Sequence, residues 1–319
     1  MGALPSGECG MINCLRVGRK FFYRGNGTLI MGRHYLAVLT AVVFWGASFI
    51  VTAIAYRTIA PLQLGLVRSA LAALLFAGCR AVTGGRGRPA NKDLPAIALS
   101  GFFGVTLYFS FQNLGLDMTS SSHAALIVAS YPAITVLMEC AARRRMPPLR
   151  QVVGILVAIA GVALLTGAAV SRGPREALGN WLLISTGIAW GFYNLITQKV
   201  AGRYPASMLT AWQMLFGALF FVPFAAFEGR PWIMPTVSSG AAILFLGVCC
   251  SLLSYLFYNY SLTGLSASAA AALLNLVPVV GIVCSCLVLH EAVSARQILG
   301  GLVIVAGVWL SSAAAKSTG

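Results

Sequence analysis

Long, solidly apolar stretches alternate along this chain with short joints that carry Arg, Lys, Pro and Gly. A helix needs roughly 17–25 such residues to cross a hydrocarbon layer. The runs predict ten helices. In the first half they are approximately Tyr35–Tyr56, Pro61–Val82, Leu94–Leu116, Ser122–Ala142 and Val152–Val170. In the second they are approximately Trp181–Val200, Ser207–Phe227, Ala241–Leu262, Ser266–Leu289 and Ile298–Ala314. A membrane barrel would show alternation of apolar and polar residues over about ten residues. Solid apolar runs favour helices, which satisfy their backbone internally.

The two halves echo each other. Residues 150–164 align without a gap on 296–310, both opening Arg-Gln-x-x-Gly and carrying glycines at Gly154, Gly161, Gly300 and Gly307. Trp45-Gly46 recurs as Trp190-Gly191, Pro61 as Pro205, Gly101 as Gly247, Asn113 as Asn259 and Pro132 as Pro278, in the same order. An odd number of helices in each repeat forces the second to enter the membrane from the opposite side. The expected fold class is therefore all-α integral membrane, with ten transmembrane helices as two inverted five-helix repeats. The divisions expected are a tail at 1–34, a first repeat at 35–170, a linker at 171–179, a second repeat at 180–314 and a tail at 315–319. Met11 and Met31 are alternative starts, so the first thirty or so residues are expected to be either a wrongly assigned start or a dispensable leader.

Composition sharpens this. Of 319 residues 59% are hydrophobic and 9% charged, with a mean hydropathy of +0.86. Soluble domains carry roughly a quarter charged residues. The net charge of +15 does not indicate nucleic acid, because the basic residues cluster before predicted helix 1 and in alternate joints, as at Arg80–Lys92 and Arg143–Arg150. By the positive-inside rule both termini face the cytoplasm. The expected location is the inner (plasma) membrane of a bacterium, with anionic lipid against the basic joints. The cysteines and three histidines follow no metal-ligand or disulfide spacing, and no cofactor is expected.

At this point the chain resembles the drug/metabolite transporter (DMT) superfamily, specifically its ten-helix EamA-like transporters. The resemblance is carried by Trp45-Gly46-Ala47-Ser48-Phe49, Arg68, Pro132, Pro278 with Glu291, and the doubled Gly154/Gly161 and Gly300/Gly307 helices. It covers roughly Tyr35 to Ala314. It implies alternating-access transport of small metabolites, often amino acids or drugs, often outward. One departure stands out: where Glu291 follows Pro278, the equivalent position after Pro132 is Arg145.

The residues that could carry transport are polar and aromatic groups inside apolar helices. Arg68 sits near the midplane, where an unpartnered charge is costly. It would attract an anionic group, or else tie neighbouring helices together. Its counterpart is Gln213. Substrate-binding candidates on shared helical faces are Trp45 with Ser48, Tyr108 with Gln112 and Asn113, Trp190 with Tyr193 and Asn194, Trp212 with Gln213, Tyr255 with Tyr258 and Asn259, and Asn275. Amides are costly against lipid, so they line a cavity or glue helices together. Tyr131 belongs to the interfacial belt or to the cavity. Pro132 and Pro278, expected near the middle of helices 4 and 9, act as hinges or static kinks. His123 is a candidate proton-sensitive gate or a hydrogen-bonded helix end. No acid lies mid-helix, which disfavours a strongly cationic substrate and carboxylate-based proton coupling. Predicted helices 5 and 10 are packing or dimer-contact helices, so the chain is expected to be a monomer or a weak homodimer through them.

These features predict a secondary transporter exporting small amino-acid-like metabolites that are neutral, zwitterionic or anionic. An intramembrane lipid- or metabolite-modifying enzyme would need a cluster of acid, base, nucleophile or metal ligands. A non-transporting receptor or scaffold is the other alternative.

Overall fold

A computed structural model describes residues 27–82, 88–119, 127–166, 173–289 and 294–315. His123, Glu291 and the tail before Gly27 lie outside the described residues. Among the described residues the secondary structure is helical: α1 (Gly27–Ala55), α2 (Pro61–Val82), α3 (Leu94–Met118), α4 (Tyr131–Arg143), α5 (Leu149–Thr166), α6 (Pro174–Val200), α7 (Ala206–Phe227), α8 (Val237–Ser261), α9 (Ala267–Leu273, then Leu274–Leu276 and Val277–Leu289) and α10 (Ala295–Ala315). Six of them, α1, α2, α3, α7, α8 and the first part of α9, are long and apolar enough to cross a membrane by length and composition. Such helices, in so apolar a chain, make this an integral membrane protein.

Several helices start earlier than the apolar runs suggest, because polar residues build their first turns. Pro174 opens α6, where its missing N–H costs nothing, and Glu176 in the first turn suits the positive end of the helix dipole. Thr236 caps α8 by accepting from Ser239 N, and Ser266 caps α9 by accepting from Ala269 N. The start of α2 is capped from a distance. The Glu228 carboxylate, beyond the end of α7, accepts from Leu62 N and Gln63 N, both at 3.0 Å.

Three helices, α3, α8 and α9, are interrupted, α4 starts directly after a turn, and these features recur in matching places of both halves. α3 carries a π-helical turn at Phe102–Leu107 and α8 carries one at Leu246–Leu253. Pro132 and Pro278 differ from expectation. Each stands in the first turn of a helical segment, after a turn at Ser130 in one case and after the 3-10 turn Leu274–Leu276 in the other. A proline in a first turn removes no helical hydrogen bond, so the chain breaks just before it and does not bend around it.

α1–α4 and α6–α9 form one bundle, in which α1 packs on α8 and α9, α2 on α7, and α3 on α6. α5 and α10 pack on each other beside it, glycine against backbone. A Cβ on Gly154 would lie 2.4 Å from Ser311 N, and one on Gly307 would lie 2.5 Å from Ala158 N. The glycine faces are therefore buried within one chain. Leu156, Leu302 and Trp309 point outward from the pair.

Gly307→Ala should accordingly lower thermal stability in detergent by about 1–3 kcal/mol, because backbone must move to admit the methyl. Gly78→Ala, with nothing near the added carbon, should be neutral or mildly stabilising. Equal melting temperatures for the two variants would contradict the close α5–α10 contact.

Candidate functional site

One face of α1 repeats every turn as Trp45, Ser48, Phe49 and Thr52, and one face of α3 as Tyr108, Gln112, Asn113 and Leu116. The spacings, i, i+3, i+4, i+7 in α1 and i, i+4, i+5, i+8 in α3, place each set on a single stripe. The two stripes face each other across a cavity of about 690 Å³, its open mouth included. Arg68 from α2, Trp190 from α6 and Leu274 and Val277 from α9 complete its wall, with Val128 and Tyr131 at the start of α4. The cavity runs from mid-bundle toward the end that carries Thr52, Leu116 and Val128. We call this the Tyr131 end, and the opposite one the Glu139 end.

The base of the cavity is an aromatic stack. Trp45 meets Trp190 edge to face at 5.7 Å and tilts over Tyr258 at 5.6 Å, while Tyr108 lies 5.1 Å from Trp190. Trp45 Nε1 donates to Cys250 O at 2.9 Å, inside the π-helical stretch of α8. A π turn leaves carbonyls outside the regular ladder, and here one of them orients a cavity side chain.

Arg68 is only 4% exposed. Its Nε donates to Ser251 Oγ at 2.8 Å, and its guanidinium carbon lies 4.0 Å above the Phe109 ring. Among the described residues no carboxylate pairs with it; the ion pairs there are Glu139–Arg143, Asp117–Arg175 and Asp93–Arg203. A guanidinium has five N–H donors in a planar fork suited to a carboxylate. One of the five is engaged by Ser251. The arrangement places a cation, amide groups and aromatic faces around one space, which suits a small molecule with an anionic group and an apolar body.

The sequence candidates divide into groups. Trp45, Ser48, Arg68, Tyr108, Gln112, Asn113, Tyr131 and Trp190 line the cavity. Tyr131 is buried, and its hydroxyl donates to Leu183 O. Tyr193, Asn194, Gln213, Tyr255, Tyr258 and Asn259 are fully buried on the other side of the aromatic stack. There Tyr193 Oη donates to Asn259 Oδ1 at 2.7 Å, and Asn259 Nδ2 donates to Gln213 Oε1 at 2.7 Å and Thr210 Oγ1 at 2.8 Å. Gln213 Nε2 reaches Ser100 and Thr197, Tyr258 Oη donates to Asn194 Oδ1, and Tyr255 Oη donates to Gly104 O. Trp212 is set apart from both groups, in an apolar cluster with Ile97, Val200 and Leu209. Asn275 is buried on the 3-10 turn of α9, its Oδ1 without a hydrogen-bond partner among the described residues.

Thr52, Phe109 and Leu116 were not expected at the cavity. The same helical stripe, continued by a turn in either direction, contains them. Ser251 gives no comparable signal, since only the crossing of α2 and α8 brings it to Arg68. Glu139 marks the other end of the bundle. Near the end of α4 it is 5% exposed, pairs with Arg143 at 3.0 Å, and accepts from Ser268 N at the start of α9 at 2.9 Å. The bundle is closed at this end. His34 stacks on Tyr260 at 4.8 Å, Gln198 Nε2 donates to Leu265 O, and Arg203 and Tyr204 both bond Asp93. The bond to Asp93 raises the Tyr204 phenol above its usual range, since the protonated form is the donor.

Comparison with known proteins agrees with this geometry. The model of the EamA-like transporter family matches twice, over residues 32–167 and 177–313. A protein of Archaeoglobus fulgidus described as an uncharacterized transporter is 28% identical over 288 residues, covering 88% of this chain and 97% of that protein. A protein of Streptantibioticus cattleyicolor described as a probable terminal-alkyne amino-acid exporter is 27% identical over 275 residues, covering 86% of this chain and 91% of the other. A crystal structure at 19% identity superimposes with a TM-score of 0.74 over 89% of this chain and 98% of its own, which speaks for the fold alone. These relatives are transporters and not enzymes. With the family model matching nearly all of both halves, the chain belongs to the EamA-like transporter family, within the drug/metabolite transporter superfamily.

Proposed function

We propose that this protein moves small, amino-acid-like metabolites across the membrane by alternating access, in the outward direction. Ten membrane-crossing helices would be arranged as two inverted repeats, at 35–170 and 180–314, joined by the linker 171–179. The observation that carries this reading is the asymmetry of the bundle, with an open, Arg68-bearing cavity toward one end and a hydrogen-bonded, packed arrangement toward the other. A transporter caught in one of two mirror states would have this form.

Other features support the details. The basic joints support a cytoplasmic location for both termini, 1–34 and 315–319, and an exterior one for the Tyr131 end. The inner membrane of a bacterium is the proposed location. The exporter relative supports outward movement and an amino-acid-like substrate. Arg68 would take the carboxylate, Gln112 and Asn113 would offer amide contacts, and Trp45, Tyr108 and Trp190 would hold the apolar part. Because the glycine faces of α5 and α10 are used within the chain, the monomer is favoured. A homodimer through these helices would have to use their outward residues, such as Leu156 and Leu302.

In proteoliposomes the protein should show saturable counterflow for members of an amino-acid panel. Arg68→Ala should lower that flux about tenfold or more, the loss expected for a charge-assisted hydrogen bond. Arg88→Ala, on an exposed joint, should leave it near the parent rate. Absence of saturable flux from the whole panel, or equal flux for the two folded variants, would count against the proposal.

Ser251→Ala removes the polar partner of Arg68 without touching the cavity wall. It should raise the KM for an anionic or zwitterionic substrate while the protein still melts cooperatively. An unchanged KM would show that Ser251 does not orient the guanidinium.

A further inference from the structure

We infer that the second repeat carries a side-chain latch that the first repeat cannot form, so that the ligand-free protein rests with the Tyr131 end open and the Glu139 end shut. The inference rests on the alternating-access proposal and adds to it the residues that bias the equilibrium.

The repeat gives each residue of the latch a partner position. Burial fixes the register of α2 against α7. Positions 64, 65, 68, 69, 72 and 76 are buried in one, and 209, 210, 213, 214, 217 and 221 in the other. Arg68 therefore corresponds to Gln213 and Gly65 to Thr210. Trp45 and Trp190 align Ser48 with Tyr193, and Asn113 corresponds to Asn259.

Asn259 has a side-chain partner at each of the three corresponding positions. It accepts from Tyr193 and donates to Thr210 and Gln213. These bonds tie α6, α7 and α8 together, across the space that mirrors the cavity. Asn113 does something else: its Nδ2 donates to Pro61 O at 2.8 Å, at the start of α2. Suppose the Tyr131 end closed as the Glu139 end is closed now. Asn113 Nδ2 would then find Gly65, which has no side chain, and Arg68, which has no acceptor. Ser48 is far shorter than Tyr193, and its hydroxyl is engaged by Trp45 O at 2.7 Å. Closure of that end would leave buried amide donors unpaired, whereas closure of the Glu139 end satisfies every one of their counterparts. A buried donor without an acceptor shifts a two-state equilibrium by a factor of about ten or more. Gly65 cannot simply be replaced to repair this, because a Cβ there would lie 2.2 Å from Phe221 Cζ.

Leu116 lines the cavity, and its counterpart Leu262 is buried at the closed end. Each can be replaced by cysteine, in a background lacking the eight native cysteines that still melts cooperatively. A membrane-impermeant maleimide is then applied to either face of oriented vesicles. Without substrate, Leu116→Cys should be labelled rapidly from outside and Leu262→Cys slowly from the cytoplasmic side. Asn259→Ala breaks the latch, and Arg68→Gln supplies the missing acceptor to Asn113. Each should raise labelling at position 262 about tenfold and lower it at position 116. Thr210→Val, which removes one acceptor at nearly constant volume, replaces Asn259→Ala if the latter does not fold. The latch is refuted if the parent labels equally at both positions, or if the variants raise both rates or leave both unchanged. Normal flux with no shift would overturn the latch alone. Opposite shifts in the variants of a parent that itself shows no flux would leave the latch standing and overturn the transport proposal.

Discussion

Everything in this structure follows from the scarcity of hydrogen-bond partners inside a membrane. Water is not there to satisfy an amide, a phenol or a guanidinium, so each must find a partner in the protein or face a water-filled space. The chain places such groups on the inner stripes of its helices and leaves the outer stripes to leucine, valine and phenylalanine. The polar interior can then exist in two forms. Where side chains find one another, as Asn259, Gln213 and Tyr193 do, the helices lock together. Where polar groups face open space, as Arg68 and Gln112 do, a cavity remains.

Breaks in the helices are the second consequence. A carbonyl in a regular helix can take a side-chain donor on its second lone pair, as Leu183 O takes Tyr131. The π turns in α3 and α8 serve the interior in the same way, and the carbonyls of Gly104 and Cys250 within them are taken by Tyr255 and Trp45. The prolines at positions 132 and 278 work alongside these turns, each starting a fresh segment where the chain has just been interrupted. Tyr131 and Val277, the residues before those prolines, both reach the cavity wall. The interruptions therefore sit where the interior is most polar, as expected if they shape the site.

Much of this was legible in advance, and its limits are instructive. Apolar runs longer than a soluble core can use mark the helices, and the doubled Gly154/Gly161 and Gly300/Gly307 pattern marks a close contact. It did not say that the two glycine faces meet each other within one chain, since a contact with a second copy has the same sequence signature. Amides in apolar helices point inward by energetic necessity. Whether they line a cavity or close it depends on which neighbour each one meets. Trp212 shows how a shared neighbourhood in sequence misleads: next to Gln213, it is turned by one residue of helix to a different face and packs among Ile97 and Leu209. Glu139, a helix-end acid by position, becomes the cap of a segment far away along the chain.

The sequence by itself determined the solvent, the helices and the doubling, because length, hydropathy and periodicity are local quantities that lipid reads directly. Only the tertiary structure decided that Arg68 and Gln213, occupying matching positions, have different surroundings. One lies over Phe109 against an open cavity with Ser251 beside it, and the other is enclosed by Ser100, Thr197 and Asn259. The physical reason is that two nearly equivalent halves need not occupy equivalent states. Which half is open depends on the balance of hydrogen bonds across helix crossings, and no single stretch of sequence contains both sides of a crossing.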